Sequence, residues 1–216
     1  MAKVLVNDSS LTSIADAIRE KTGSSDTYKP SEMAGAIKAI PTGGGGGDSE
    51  EELGAFLGDD LEVLDNSKAT SLRTRICQYA YSLVTVNLPS VTSIGTLAFY
   101  GCTGLETINF PLAASVTSQS FYNCTKLKHA DFGKASSIAA QAFNGCSALK
   151  ELILRKSDSI CTLSNVNGIS NTAIGKGTGY VYVPSALIES YKANTNWSGF
   201  ADQLRAIEDY PDICGY

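Results

Sequence analysis

The stretch "IGTLAFYGCTGLETINFP", residues 94–111, carries a rhythm that decides the fold. Phe99, Cys102, Leu105, Ile108 and Phe110 all recur at a fixed interval. Phe99, Phe121 and Phe143 stand 22 residues apart, as do Cys102, Cys124 and Cys146. Leu83, Leu105, Leu127 and Leu149 form a third column. Leu72, Ile94, Val116, Ile138 and Ile160 form a fourth; Val86, Ile108, Ala130 and Leu152 a fifth; Leu88, Phe110, Phe132 and Leu154 a sixth. Self-similarity at one period in this range is the signature of a solenoid, in which each repeat buries its apolar face only by stacking on its neighbours.

Within the repeat, Leu-x-x-Ile-x-Phe is the pattern of a leucine-rich-repeat strand. Alternation along the strand sends the third and fifth positions outward, and successive strands stack about 4.8 Å apart in a parallel ladder. The expected fold is therefore an α/β leucine-rich-repeat solenoid of 22-residue repeats. Leu61 and Leu64 keep the register one repeat earlier, with Asn66 breaking it. Downstream the register fails at Asn171 and Lys176, and "YVYVP", residues 180–184, is expected to resume the ladder after an irregular insertion.

Outside the repeats, "PTGGGGGDSEEE" punctuates the chain. Five glycines followed by acids bury nothing and lose much backbone entropy on ordering, so residues 42–52 read as a linker. Before it, Leu11, Ile14, Ala15 and Ile18, then Met33, Ala36, Ile37 and Ile40, lie at helical spacing, bounded by Asp8–Ser10, Gly23, Pro30 and Pro41. Residues 1–41 thus read as a small α-helical module, too short to hold a core without a partner. Residues 53–184 form the repeat domain and 185–216 a helical C-terminal cap. In that cap Leu187, Ile188, Tyr191, Trp197, Phe200, Leu204 and Ile207 are expected to close the solenoid end as helix, turn, helix.

Several functional classes are disfavoured by inventory. A net charge of -5 supplies no phosphate-neutralising surface, so no nucleic acid is expected as partner. No apolar run reaches membrane-spanning length, and the N-terminus has no apolar h-region, so neither membrane insertion nor a signal peptide is expected. "NTAIGKGTG" fails as a phosphate loop, with Ser170 at the first glycine and Gly177 at the Ser/Thr position. The cysteines stack in parallel rather than pointing at one another, so reduced, buried thiols are expected. There is no CxxC, and His129, the single histidine, lies on an outward position, so no metal or other cofactor is expected. One histidine beside Asp131, with no serine elbow, leaves no catalytic set, and the chain is expected not to be an enzyme.

The candidate binding residues are the outward strand positions Thr85, Asn87, Thr107, Asn109, His129, Asp131, Glu151 and Ile153. A second column, Gln78, Tyr100, Tyr122 and Asn144, flanks the buried phenylalanines, and its two tyrosines suit stacking on sugar rings or packing in an interface.

"VTSIGTLAFYGCTGLETINFP" resembles the BspA-like leucine-rich repeats of bacterial surface proteins over roughly residues 70–165, with departures at Ala130, Gly133 and Arg155. "VYVPSALIESYKANTNWSGFADQLRAIE" resembles the segment that follows such repeats in Firmicutes proteins. "LTSIADAIREKTGSSDTYKPSEMAGAIKAIP", residues 11–41, resembles a short module at the start of tail and other structural proteins of Firmicutes phages and prophages. Together these resemblances imply a virion protein of the tail tip, fibre or baseplate, made in the host cytoplasm. They imply a self-associating chain, a trimer, joined to other virion proteins through residues 1–41. The repeat domain would bind a host-surface glycan or protein, or another virion protein. A BspA-type cell-surface adhesin and a scaffold or decoration protein without receptor binding are the rival implications.

Overall fold

The structure is a computed structural model that describes residues 62–65 and 69–215. The N-terminal module, the glycine linker, Leu61 and Asn66 lie outside the described residues.

Seven strands build one all-parallel ladder: β1 (Val63–Asp65), β2 (Thr85–Asn87), β3 (Thr107–Phe110), β4 (His129–Phe132), β6 (Glu151–Leu154), β8 (Tyr180–Val183) and β9 (Leu204–Ala206). Between them β5 (Ser137–Ile138) and β7 (Thr162–Leu163) pair as a second, two-stranded sheet. The register follows the period: Val86 pairs with Ile108, Ile108 with Ala130 and Ala130 with Leu152. The next step is longer, because Glu151 pairs with Tyr180, which confirms that the ladder resumes at "YVYVP" after an insertion. Part of that insertion lies before Leu163, which pairs with Ile138 where the fixed period expects Ile160. Ile160 instead packs half-buried against the core.

The return path of each repeat consists of turns rather than helices, so the α component expected of the solenoid is confined to short C-terminal segments among the described residues. Turns replace helices because each return path is itself laddered. Cys77, Phe99 and Phe121 donate backbone N–H bonds to Ala98, Ser120 and Ala142, and Tyr79, Gly101 and Asn123 to Tyr100, Tyr122 and Asn144. The backbone polar groups a helix would satisfy internally are thus satisfied between repeats.

The core is a set of columns. Phe99, Phe121 and Phe143 stack with centroids 5.3 Å apart at each step, and Phe110 and Phe132 stack beside them at 6.0 Å. The cysteine column turns the corner as small buried groups, and it also makes bonds. Cys102, Cys124 and Cys146 each donate Sγ–H to the carbonyl of Cys77, Phe99 and Phe121, at 2.9, 3.1 and 2.9 Å. All six thiols are free and buried, and burial pushes those of Cys77 and Cys124 above the ordinary thiol range and that of Cys161 up to about 12.

The C-terminal segment departs from helix, turn, helix. Ser185–Leu187 and Ser198–Gln203 are 3-10 turns, α1 (Ile188–Ala193) is a single α-helical segment, and Leu204–Ala206 form the last ladder strand, β9. Tyr191 and Trp197 are buried in the C-terminal end of the core. Trp197 Nε1–H donates to the Cys161 carbonyl at 2.7 Å, while the Tyr191 hydroxyl accepts from the Cys161 N–H at 2.8 Å. Ile207 leaves the end altogether. With α2 (Pro211–Cys214) it crosses to the outward face of the ladder, where Ile153, Tyr182, Ile207 and Cys214 form a second apolar cluster flanked by Tyr210 and Ile213.

Candidate binding surfaces

The outward face of the ladder has two columns. One runs Val63, Thr85, Thr107, His129, Glu151 and Tyr180, and the other Asp65, Asn87, Asn109, Asp131, Ile153, Tyr182 and Arg205. Strand alternation places every one of the eight strand candidates on this face, yet it does not leave all of them accessible. Thr85, Asn87, Thr107 and Asn109 are exposed. Asp131 and Ile153 are buried, at 7% and 0% exposure, and this corrects the expectation that they present a binding surface.

The cause is the C-terminal segment, here termed the strap, residues 207–215. Ile153 lies beneath it. Asp131 is held by Arg155, whose Nε and Nη2 meet the carboxylate at 2.9 and 2.6 Å, while Nη2 also donates to the Cys214 carbonyl. Such a two-pronged guanidinium–carboxylate pair fixes geometry as well as charge. Arg155 stands where earlier repeats carry Pro89 and Pro111, so the departure in the repeat is the residue that ties the strap down. Burial between strap and ladder pushes the Cys214 thiol up and the Tyr182 hydroxyl up to about 12.

His129 and Glu151 stay at the rim, half-exposed, and bond each other through Nδ1 and Oε2 at 2.9 Å. The open surface is therefore the stretch over β1–β3, with Asn87 Nδ2–H donating to Asp65 at 3.2 Å. Beside the Asp65 carboxylate, its polar groups are the amides of Asn87 and Asn109 and the hydroxyls of Thr85 and Thr107, suited to hydrogen bonding. Among the described residues no three His, Cys, Asp or Glu side chains converge to hold a metal ion, and no helix is long and apolar enough to cross a membrane.

The second column is altered too. Gln78 is buried, while Tyr100 and Tyr122 are half-exposed and face each other, 5.0 Å apart and 3° from parallel. A sugar ring has no room between them, so stacking in that gap is excluded. The period does not reveal Tyr79 and Tyr81. Tyr79 meets Tyr100 edge-on at 5.4 Å and Tyr81 at 5.9 Å, and the two are 41% and 52% exposed. Tyr79 is aligned with Gly101, Asn123 and Gly145, one residue off the tyrosine column, which is why period-matching alone misses it.

Residues 70–176 match the family of BspA type leucine-rich repeat regions, in six copies. No curated protein matches the chain.

Proposed function

With a BspA-type leucine-rich repeat region over residues 70–176 as premise, we propose that this chain is a non-catalytic structural protein of a phage or prophage tail. It sits at the tip, fibre or baseplate, and its repeat domain binds the host surface or another virion protein. Residues 1–41 attach it to the particle and assemble it as a trimer. The resemblance of residues 11–41 to the leading module of tail proteins supports the virion role.

The observation that carries the binding role is the asymmetry of the ladder face. Over β4, β6 and β8 the column Asp131, Ile153 and Tyr182 is occupied by the chain's own strap, whereas over β2–β3 Thr85, Asn87, Thr107 and Asn109 stand open. A rigid row of exposed amides and hydroxyls offers pre-organised donors and acceptors, which lowers the ordering cost of binding. The repeat match supports a BspA-type cell-surface adhesin equally well, using the same face.

The test is to label purified particles and host cells with an antibody against the repeat domain, and to measure host adsorption with Asn87→Lys/Asn109→Lys particles. Tail labelling with adsorption lost in the variant supports the proposal. Tail labelling with unchanged adsorption favours a scaffold or decoration role. Labelling of the bacterial surface without particles favours the adhesin.

A further inference from the structure

Tyr79 occupies a backbone position that its counterparts in other repeats fill with Gly101, Asn123 and Gly145. All four are left-handed, with φ of 62°, 73°, 58° and 81°. Glycine and asparagine tolerate that region, whereas a bulky aromatic residue is strained there. Strain of this kind persists where surrounding structure enforces it, and it concentrates at ligand-binding sites. The neighbouring repeat makes room for the ring, since a Cβ on Gly101 would stand 2.7 Å from Tyr79 Cδ1.

The strained residue is also the centre of a ridge. Tyr81, Tyr79, Tyr100 and Tyr122 follow one another at centroid separations of 5.9, 5.4 and 5.0 Å. Backbone bonds of 2.7 Å from Tyr79 to Tyr100 and from Gly101 to Tyr122 hold the row rigid. Tyr79 and Tyr81 provide well-exposed rings, while Tyr100 and Tyr122, stacked on each other, offer their edges. Asn123 and Asn144 continue the row with amides, so its side chains carry no formal charge.

From this we infer that the tyrosine ridge is a carbohydrate site for a neutral glycan chain, separate from the outward strand face. A pyranose combines an apolar C–H face with a rim of hydroxyls, and the ridge combines ring surface with phenol and amide groups. Its lack of charge disfavours anionic polymers, and its regular spacing suits a ligand that repeats along its own length.

The test uses the full chain and neutral hexasaccharides of N-acetylglucosamine, glucose and mannose, read by saturation-transfer NMR and calorimetry. At least one is expected to bind. Tyr79→Gly is expected to weaken that binding tenfold or more while its melting temperature stays level or rises, so misfolding cannot account for the loss. Tyr122→Ala is expected to weaken it as well, and Asp202→Ala, in the C-terminal segment away from the ridge, to leave it unchanged. Failure of all three sugars to bind, or undiminished binding by Tyr79→Gly, overturns the inference. So does an oligomer in light scattering that Tyr79→Gly dissociates, which would make the ridge a protein interface.

Discussion

At the residue scale, the corner of each repeat depends on two requirements, a small buried group and a left-handed turn. The cysteine column meets the first. Cys124 fills the corner and bonds the Phe99 carbonyl, which also accepts the Cys102 N–H, so truncation orphans no acceptor. Cys124→Ala should therefore cost only about 1–2 kcal/mol in denaturant titration, the scale of a small void plus a weak thiol bond. The second requirement is met by Arg75, Leu97, Gln119 and Gln141, all with φ between 55° and 61°. Gln141 is exposed, and left-handed backbone costs it about 1–2 kcal/mol against about 0.5–1 kcal/mol of extra chain entropy for glycine. Gln141→Gly should then raise stability by about 0.5–1 kcal/mol, even though it loses a 3.3 Å bond from Gln119. The cysteine column is legible in the sequence because burial selects residue type. The left-handed column is not, because Arg, Leu and Gln carry no signal for positive φ, and solenoid stacking imposes it on them.

At the element scale, the strap is the feature that sequence reasoning misses. Ile207 looks like a cap residue by hydrophobicity, and nothing local says that it crosses to another face. Leu204–Ala206 likewise has helix-compatible composition but becomes a strand because the β8 edge offers backbone partners. Tertiary pairing overrides local preference here. The same crossing explains why Asp131 and Ile153 fail as surface candidates while Asn87 and Asn109 remain open. Cys214 provides a reporter of this contact, since it belongs to the strap and is 1% exposed where the strap packs on the ladder. Asp131→Ala removes the carboxylate from Arg155, which also bonds the Cys214 carbonyl. Because the guanidinium is about a quarter exposed, at 27%, water compensates part of the loss, leaving a cost of about 1–3 kcal/mol. The expected outcome is faster alkylation of Cys214, read by mass spectrometry, while Cys102, Cys124 and Cys146 stay protected. Uniform labelling of all six thiols would instead mean that the strap and the solenoid open together.

At the scale of the whole molecule, the repeats share one core because each packs on the next, and the chain's stability should respond along the ladder axis. A solenoid is stabilised by neighbour-to-neighbour interfaces, so damage at one end need not reach the other. Trp197 is the anchor of the C-terminal end, fully buried, edge-on to Tyr191 at 5.3 Å and bonded to the Cys161 carbonyl. Trp197→Ala should cost about 3–5 kcal/mol and speed amide exchange in β8 and β9 far more than in β2–β4.

Alkaline pH acts on the same region through a different term. Desolvation raises the Cys161 thiol from 9.0 to about 12, so the folded state favours the protonated form more than the unfolded chain does. That contribution is complete below pH 9, where both states hold the proton. It declines as pH rises from 9 toward 12, where the unfolded chain ionises and the folded one does not. Tyr182, raised from 10.0 to about 12 beneath the strap, adds loss over the upper part of the same window. Melting temperature should therefore hold through neutral pH and fall above pH 9, with Cys161→Ala reducing the slope between pH 9 and 10, before Tyr182 contributes. An unchanged slope would show that Cys161 ionises as readily in the folded chain as in the unfolded one, and that the cap leaves its thiol open to solvent.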